Sequence, residues 1–426
     1  THAFVEGSSL SNAGTVIIDA DATGRIWAVA AGLGGAPKGY GVAGSVAVNT
    51  IDTDTLAKVL GGAVTGSSLS ITAEDKTSIV AVAGAIAFGG KAGIGAGIAY
   101  NRIDGGAEAV LNGTDVNISG AVTVTATNSS KITSVAAAIA ASYSSPSLQK
   151  GNALGTGSSS YALAAGISIN AVTTDTIAKL VNSGTDSDPL QAGTVTVSAT
   201  DTESRIIGFG GGLAIGLSLP GRGAGSSTAA AAGIAVAINT IDQDLDAFVE
   251  DVVCEIAGDV NVSATSAAEI NAYAIGVALA VATGGTTGGA TRAFSGAGSV
   301  TVNTIRGKVR GRTRRSRFST TGLGKFNLDA NDSRTITADA GGVAISVAYG
   351  KAGSGNSTSV AVGAAIAINE IEQAVVEASV ADSTIVTVGT TEISASSTTT
   401  IDALALAGAA AVGVSSKGGT AFSGAG

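Results

Sequence analysis

Carboxylates recur at two-residue spacing in this chain, at Asp52 and Asp54 and again at Asp242, Asp244 and Asp246. On an extended backbone that spacing puts the side chains on one face, and hard oxygen donors so grouped suit calcium. The pattern lacks the Gly and closing Glu of an EF-hand loop and the Gly-Asp nonapeptide of calcium-binding rolls, so solvated turn carboxylates are the simpler reading. No cofactor is expected, calcium being the one that these residues would admit. A second charged feature runs the other way: RGKVRGRTRRSR at 306–317 holds six Arg and one Lys, which leaves the rest of the chain at −16, the net −9 less those 7. Alternation puts Arg310, Arg312 and Arg314 outward, a stripe suited to polyanions by Coulomb attraction, or to keeping an exposed strand from pairing laterally. No aromatic residues interleave with it, which argues against nucleic acid.

Other chemistry lacks its parts. The only His is His2 and the only Cys is Cys254, so neither a Ser-His-Asp or Cys-His constellation nor a zinc site can be assembled. Gly-rich stretches such as GFGGGL at 208–213 and GRGAG at 221–225 carry no Gly-Lys pair followed by Ser or Thr, and they read as turns rather than phosphate cradles. The expectation is a chain without catalytic residues.

These residues sit in a sequence that repeats itself. GSVAVNTID (44–52), GIAVAINTID (233–242) and GSVTVNTI (298–305) are copies of one phrase, and GIAYNRID (97–104), GISINAVT (166–173) and AIAINEIE (365–372) are looser ones. They supply six anchor residues, Asn49, Asn101, Asn170, Asn239, Asn303 and Asn369, spaced by 52, 69, 69, 64 and 66 residues. A unit that cannot close a core alone must stack on its neighbours. The expected fold is therefore all-β, a parallel β-solenoid of about six to seven repeats of roughly 65 residues over 1–426, built as stacked layers of parallel sheets. The start THAFVEG matches LDAFVED at 245–251, and the closing AFSGAG matches 293–298, where it runs on into SVTVNT; the chain reads as a slice of a longer array.

Composition agrees with close-packed sheets. Apolar residues make up 45% but aromatics only 4%, with 62 Gly, so the weight lies in small and β-branched residues. The clearest repeat divides into strands at 232–241, 246–251, 259–265 and 269–284. The first and last have no polar face: Ile234, Val236 and Ile238 oppose Ala235 and Ala237, and in another copy Val80, Val82, Ile86 and Phe88 oppose Ala81, Ala83, Ala85 and Ala87. The middle two have one polar face, as with Lys179 against Ala178 and Leu180. This predicts first and fourth strands buried on both faces and covered by the second and third.

Each strand is expected to pair with its counterpart one repeat on, at roughly 4.8 Å. Ala57, Ala109, Ala178, Ala247 and Gly311 each follow their Asn by eight residues, while Glu377 takes that place in the last copy and Ala378 comes one late. Variation in length falls in the loops, short at 89–95 and long at 145–160. A competing division puts about three coils of roughly 20 residues in each repeat. The anchor Asn residues either stack as an amide ladder or end the first strand in a turn. The stretch 79–100 has the length of a spanning helix, but its β-branched residues and Gly pairs favour strands, so no membrane span is expected.

Ala-Val strands, Gly-rich turns and the AVNTI/AINTI phrase resemble the repeat regions of giant bacterial surface proteins, the filamentous-adhesin and leukotoxin-like repeat proteins. The resemblance implies an exported, bacterial, extracellular or cell-surface β-solenoid acting as a stiff fibre or stalk in adhesion or surface structure. Its implied partners are sister fibres and host or neighbouring cells, and it brings no catalytic residues. The alternative is a toxin-like or polysaccharide-binding passenger region using the stripe at 306–317. A single thiol in so long a chain fits the same class, since surface proteins of this kind avoid Cys.

Overall fold

The computed structural model describes residues 1–11, 14–145, 157–220, 225–286 and 288–426. Its elements are all β-strands, and every strand pairing is parallel. Each coil contains a long strand, a short one and a second long one, exemplified by Ser227–Glu250, Val253–Ile256 and Val260–Thr283. Successive coils stack these into three sheets. We call them the anchor sheet of eight strands, the corner sheet of seven, and the return sheet.

The anchor residues set the register. Asn49 lies opposite Asn101, Asn101 opposite Asn170, Asn170 opposite Asn239, Asn239 opposite Asn303 and Asn303 opposite Asn369. One sequence repeat therefore advances the chain by one coil, not three. The late Ala378 is accommodated by a bulge: pairing runs Arg306 with Glu372, then shifts so that Lys308 meets Val375 and Gly311 meets Ala378. One extra residue on one strand is what a bulge absorbs.

Two expectations about strands need correction. The first and second strands of each repeat fuse into one, of 24 residues in Ser227–Glu250, and so do the third and fourth, except where Thr194–Asp201 and Ser204–Ser218 stay separate; the anchor Asn lies in mid-strand rather than at a turn. The corner strands of three or four residues were not foreseen, being too short for a period to show. What turns the chain into the corner sheet is a left-handed residue at one fixed place in each coil. Gly61, Gly113, Asn182, Asp251, Arg315 and Asp382 stand there with φ of 68, 62, 50, 54, 45 and 49°. Gly, Asn and Asp tolerate this conformation; Arg315 is the exception, held by ion pairs to Glu250 and Asp251.

The cross-section is a wedge. At the wide end all three sheets enclose an apolar core, including Leu180, Leu190 and Val195 of one coil and Val249, Cys254 and Val260 of the next. Phe318 and Phe326 meet there edge to face at 5.2 Å. Next comes a layer of stacked Ile and Val, with Ile103, Val172 and Ile241 facing Ile132, Ile206 and Ile270. Toward the narrow end the anchor and return sheets approach until only small residues, Ala, Gly and Ser with an occasional Thr, fit between them. A Cβ at Gly212 would stand 2.3 Å from the Ile234 carbonyl oxygen.

This geometry reverses the expected layering. Ala235, Ala237, Ala81 and Ala83 point into the sheet interface at 0% exposure, whereas Ile234, Ile86 and Phe88 point outward at 42, 50 and 42%. Among the described residues no strand covers them. The stretch GFGGGL is likewise part of the strand Ser204–Ser218, not a turn, with its inward Gly residues at the narrow interface. Most of the loop at 145–160 and of GRGAG lies outside the described residues. The stretch 79–100 divides between the strands Ser68–Gly89 and Ala92–Asn112.

Candidate functional site

Three sets of side chains recur coil after coil, and parallel register stacks each set into a column. The innermost is the amide ladder. Asn49, Asn101, Asn170, Asn239 and Asn303 each donate Nδ2 to the Oδ1 of the next Asn at 2.8 Å, ending on Asn369. Space for it comes from small residues on the return sheet. Ser134 accepts a further bond from Asn101 at 3.0 Å, and a Cβ at Gly208 would lie 2.4 Å from Asn239 Oδ1. Every buried amide thus has a partner, which removes the cost of burying it.

Between the Ile layer and the wide core lies a polar seam that sequence reasoning missed. Asp75, Asn128, Asp201 and Asp332 of the return sheet are buried here. Thr53 donates to Asp75 at 2.6 Å, while Gln243 and Ser204 donate to Asp201 at 3.0 and 2.8 Å. Burial pushes Asp201 up to about 6, against the pull of Ser204 and Gln243, and pushes Asp75 up to about 6 as well. Farther along, Arg334 and Asp332 form a fully buried pair at 2.8 Å, and Arg334 also donates to the Gly307 carbonyl at 3.2 Å. The one clue in the sequence was polar residues on the inward parity of an otherwise apolar strand.

The third set lies on the outer face of the wide end and holds both charged features. Arg310 and Arg312 both reach Asp246, Arg310 at 3.4 Å, and Arg314 stands 4.0 Å from Glu250. Arg306 meets Asp242 at 2.8 Å, Lys308 meets Asp244 at 3.8 Å, and Arg312 also covers the Phe248 ring at 4.8 Å. Of the aspartates considered for calcium, Asp242, Asp244 and Asp246 therefore form one ladder with the basic stripe, each side neutralising the other, whereas Asp52 and Asp54 lie in the column of Asp104 and Gly106, away from it. Sequence reading treated the two sides separately because 64 residues divide Asp242 from Arg306, and only the register brings them together. Similarly, Glu108 joins Lys58 at 2.8 Å and Lys179 at 3.1 Å across three coils. Burial raises Glu108, but the two lysines outweigh it and hold the carboxyl below its ordinary range.

The candidates for other chemistry are not brought together. His2 lies on an exposed strand, and Cys254 is buried in the wide core, where burial pushes its thiol up and away from reactivity. Among the described residues no group of three or more His, Cys, Asp and Glu side chains is placed to share a metal ion. Asp54, Glu108 and Asp175 border a shallow surface depression of about 310 Å³ above Gly105 and Gly106. Compared with known proteins, the chain matches no family model, no curated protein and no solved structure.

Proposed function

We propose that this chain is a non-catalytic structural repeat region of a large exported bacterial surface protein, a stiff stalk or fibre used in adhesion or cell-surface structure. The observation that carries this reading is the unbroken register of the Asn ladder, which makes every coil a template for the next. A parallel stack of this kind grows along one axis, by about 4.8 Å per coil, and bending it would pull apart amides that are already paired inside. The Gly, Ser and Thr loops at the narrow edge display a repeated surface to cells, matrix or sister fibres. The polyanion-binding alternative has less to draw on, because the arginines of its stripe face carboxylates of the preceding coil.

Lengthening the chain tests the reading. Four extra copies of residues 239–302, inserted in phase, should extend the particle in cryo-electron micrographs by about 19 Å along one straight axis, at about 4.8 Å per copy. Added copies that collapse into separate beads, or hinge between coils, would overturn it.

A further inference from the structure

We propose that the narrow half of the solenoid is a lipid-inserting fin whose two outer faces seat in the hydrocarbon of a bilayer. On the anchor sheet the outward positions one, three, five, seven and nine residues before the Asn are apolar or Gly in every coil from Asn49 to Asn369. In one coil these are Ile169, Ile167, Ala165, Leu163 and Tyr161; in another, Val302, Val300, Gly298, Gly296 and Phe294. The return sheet mirrors this, as in Phe209, Gly211, Leu213, Ile215 and Leu217, with Asp339 the one charged outward residue in the matching rows. The bands coincide in height, since Gly210 packs on Val236 and Gly216 on Ala230. Polar residues take over on either side: Ser159, Thr228 and Thr358 outside the anchor-sheet band, Asp52, Asp104 and Asp242 inside it.

Height, borders and backbone all fit a bilayer. Five alternating rows span eight residues, about 26 Å at 3.3 Å per residue, close to the roughly 25 Å apolar band of membrane β-proteins and the roughly 30 Å hydrocarbon core. All six tyrosines and the single tryptophan stand at the borders of the band. Tyr40 and Tyr161 of the anchor sheet and Tyr143 and Tyr349 of the return sheet mark the outer border. Tyr100, Tyr273 and Trp27 mark the inner one. Amphipathic rings concentrate at headgroup level in this way, whereas contact between two protein copies gives no reason for them to avoid the middle rows. Beyond the outer border, the turns at the narrow edge carry exposed Lys38, Lys91, Lys351 and Lys417, suited to lipid phosphates. Within the stack each strand bonds its neighbours on both sides, so the band's backbone is satisfied without water. Open edges occur only at the outermost coils, and in lipid these must be paired by further coils or by another copy stacked end to end. The band covers on the order of 700 Å² on each face, more than soluble monomers ordinarily expose.

The fin goes beyond the structural reading above, and its test separates the two. The chain is mixed with phosphatidylcholine vesicles, with and without phosphatidylglycerol, and floated through a density gradient while circular dichroism reports the β-fold. The proposal expects flotation with both compositions, undiminished by high salt. It expects Trp27 to be quenched about twofold more by bromines near the headgroup end of the acyl chains than by bromines at their ends, as an interfacial ring should be. The pair Ile169→Asp and Val236→Asp should abolish flotation, while Thr173→Asp, outside the band, should leave it intact. Flotation only on anionic vesicles that salt reverses, with Trp27 unquenched, would reduce the effect to the lysine turns and overturn the proposal. A folded protein that ignores lipid and sediments as a discrete oligomer would overturn it in favour of a second copy on the same faces. Either outcome leaves the stacked fold standing.

Discussion

Asn170 donates to the side-chain oxygen of Asn239 at 2.8 Å although 69 residues separate them in the chain. Both are about 1% exposed. Truncating either to Ala takes the ladder acceptor from the preceding amide, which keeps its bond to a Ser hydroxyl, and the ladder donor from the following one, at about 1 to 3 kcal/mol for an unsatisfied buried group. In urea titrations Asn239→Ala should therefore unfold at clearly lower denaturant than Asn49→Ala, whose residue ends the ladder and has one neighbour. Equal midpoints for the two would show that the ladder adds nothing to packing.

The same register was legible in the spacing of the anchor phrase, and so was its irregularity at Glu377, which became the bulge opposite Gly307. The faces were not legible. Bulky Ile234 and Val82 read as core because large apolar residues are ordinarily buried. Here the anchor and return sheets come too close for a bulky side chain, and that spacing is set by where both strands run, not by any local pattern. The pairing of Arg312 with Asp246 was hidden for a related reason: contact between residues 66 apart exists only once the coil length is fixed.

The narrow interface makes a prediction of its own. Ala237→Leu or Ala83→Leu should each cost about 1 to 3 kcal/mol through overpacking, and Gly212→Ala should be harmful too, since its new Cβ would meet the Ile234 oxygen at 2.3 Å. Lys179→Ser, which gives up a partly exposed pair with Glu108 at 3.1 Å, should cost no more than about 1 kcal/mol. Thermal melts of the four variants check the order, and a Lys179 variant that melts lowest would contradict the face assignment.

The charge ladder should show unequal pairs. Asp246 is only 12% exposed and is shared by Arg310 and Arg312, whereas Arg314 stands 4.0 Å from Glu250 and is 55% exposed. Double-mutant cycles should give a coupling near 1 kcal/mol for Arg312 with Asp246 and only a few tenths for Arg314 with Glu250. Heparin retention should be weak for the native chain and rise when Asp242 and Asp246 become Asn, which frees the arginines. Strong native retention would mean the ladder does not neutralise the stripe.

Stability should depend on pH through the buried seam. The carboxyl of Asp201 has a folded pKa of about 6 against 3.8 unfolded. A raised carboxyl takes up a proton on folding, so its contribution is complete below about pH 4 and is lost as pH rises through about 6. Asp201→Asn should gain on the native chain by on the order of 2 kcal/mol between pH 4 and pH 7. A difference between the two that stays flat over that range would show that Asp201 ionises inside as freely as in water.

One coil per repeat is the claim on which the rest depends, and one distance tests it. Thr50 and Glu370 each follow an anchor Asn by one residue and occupy the same outward column, five pairings apart through Arg102, Ala171, Thr240 and Thr304. Spin labels at these two positions should lie about 24 Å apart by double electron–electron resonance, five steps of roughly 4.8 Å. A distance near 70 Å, as three coils per repeat would require, would contradict the account.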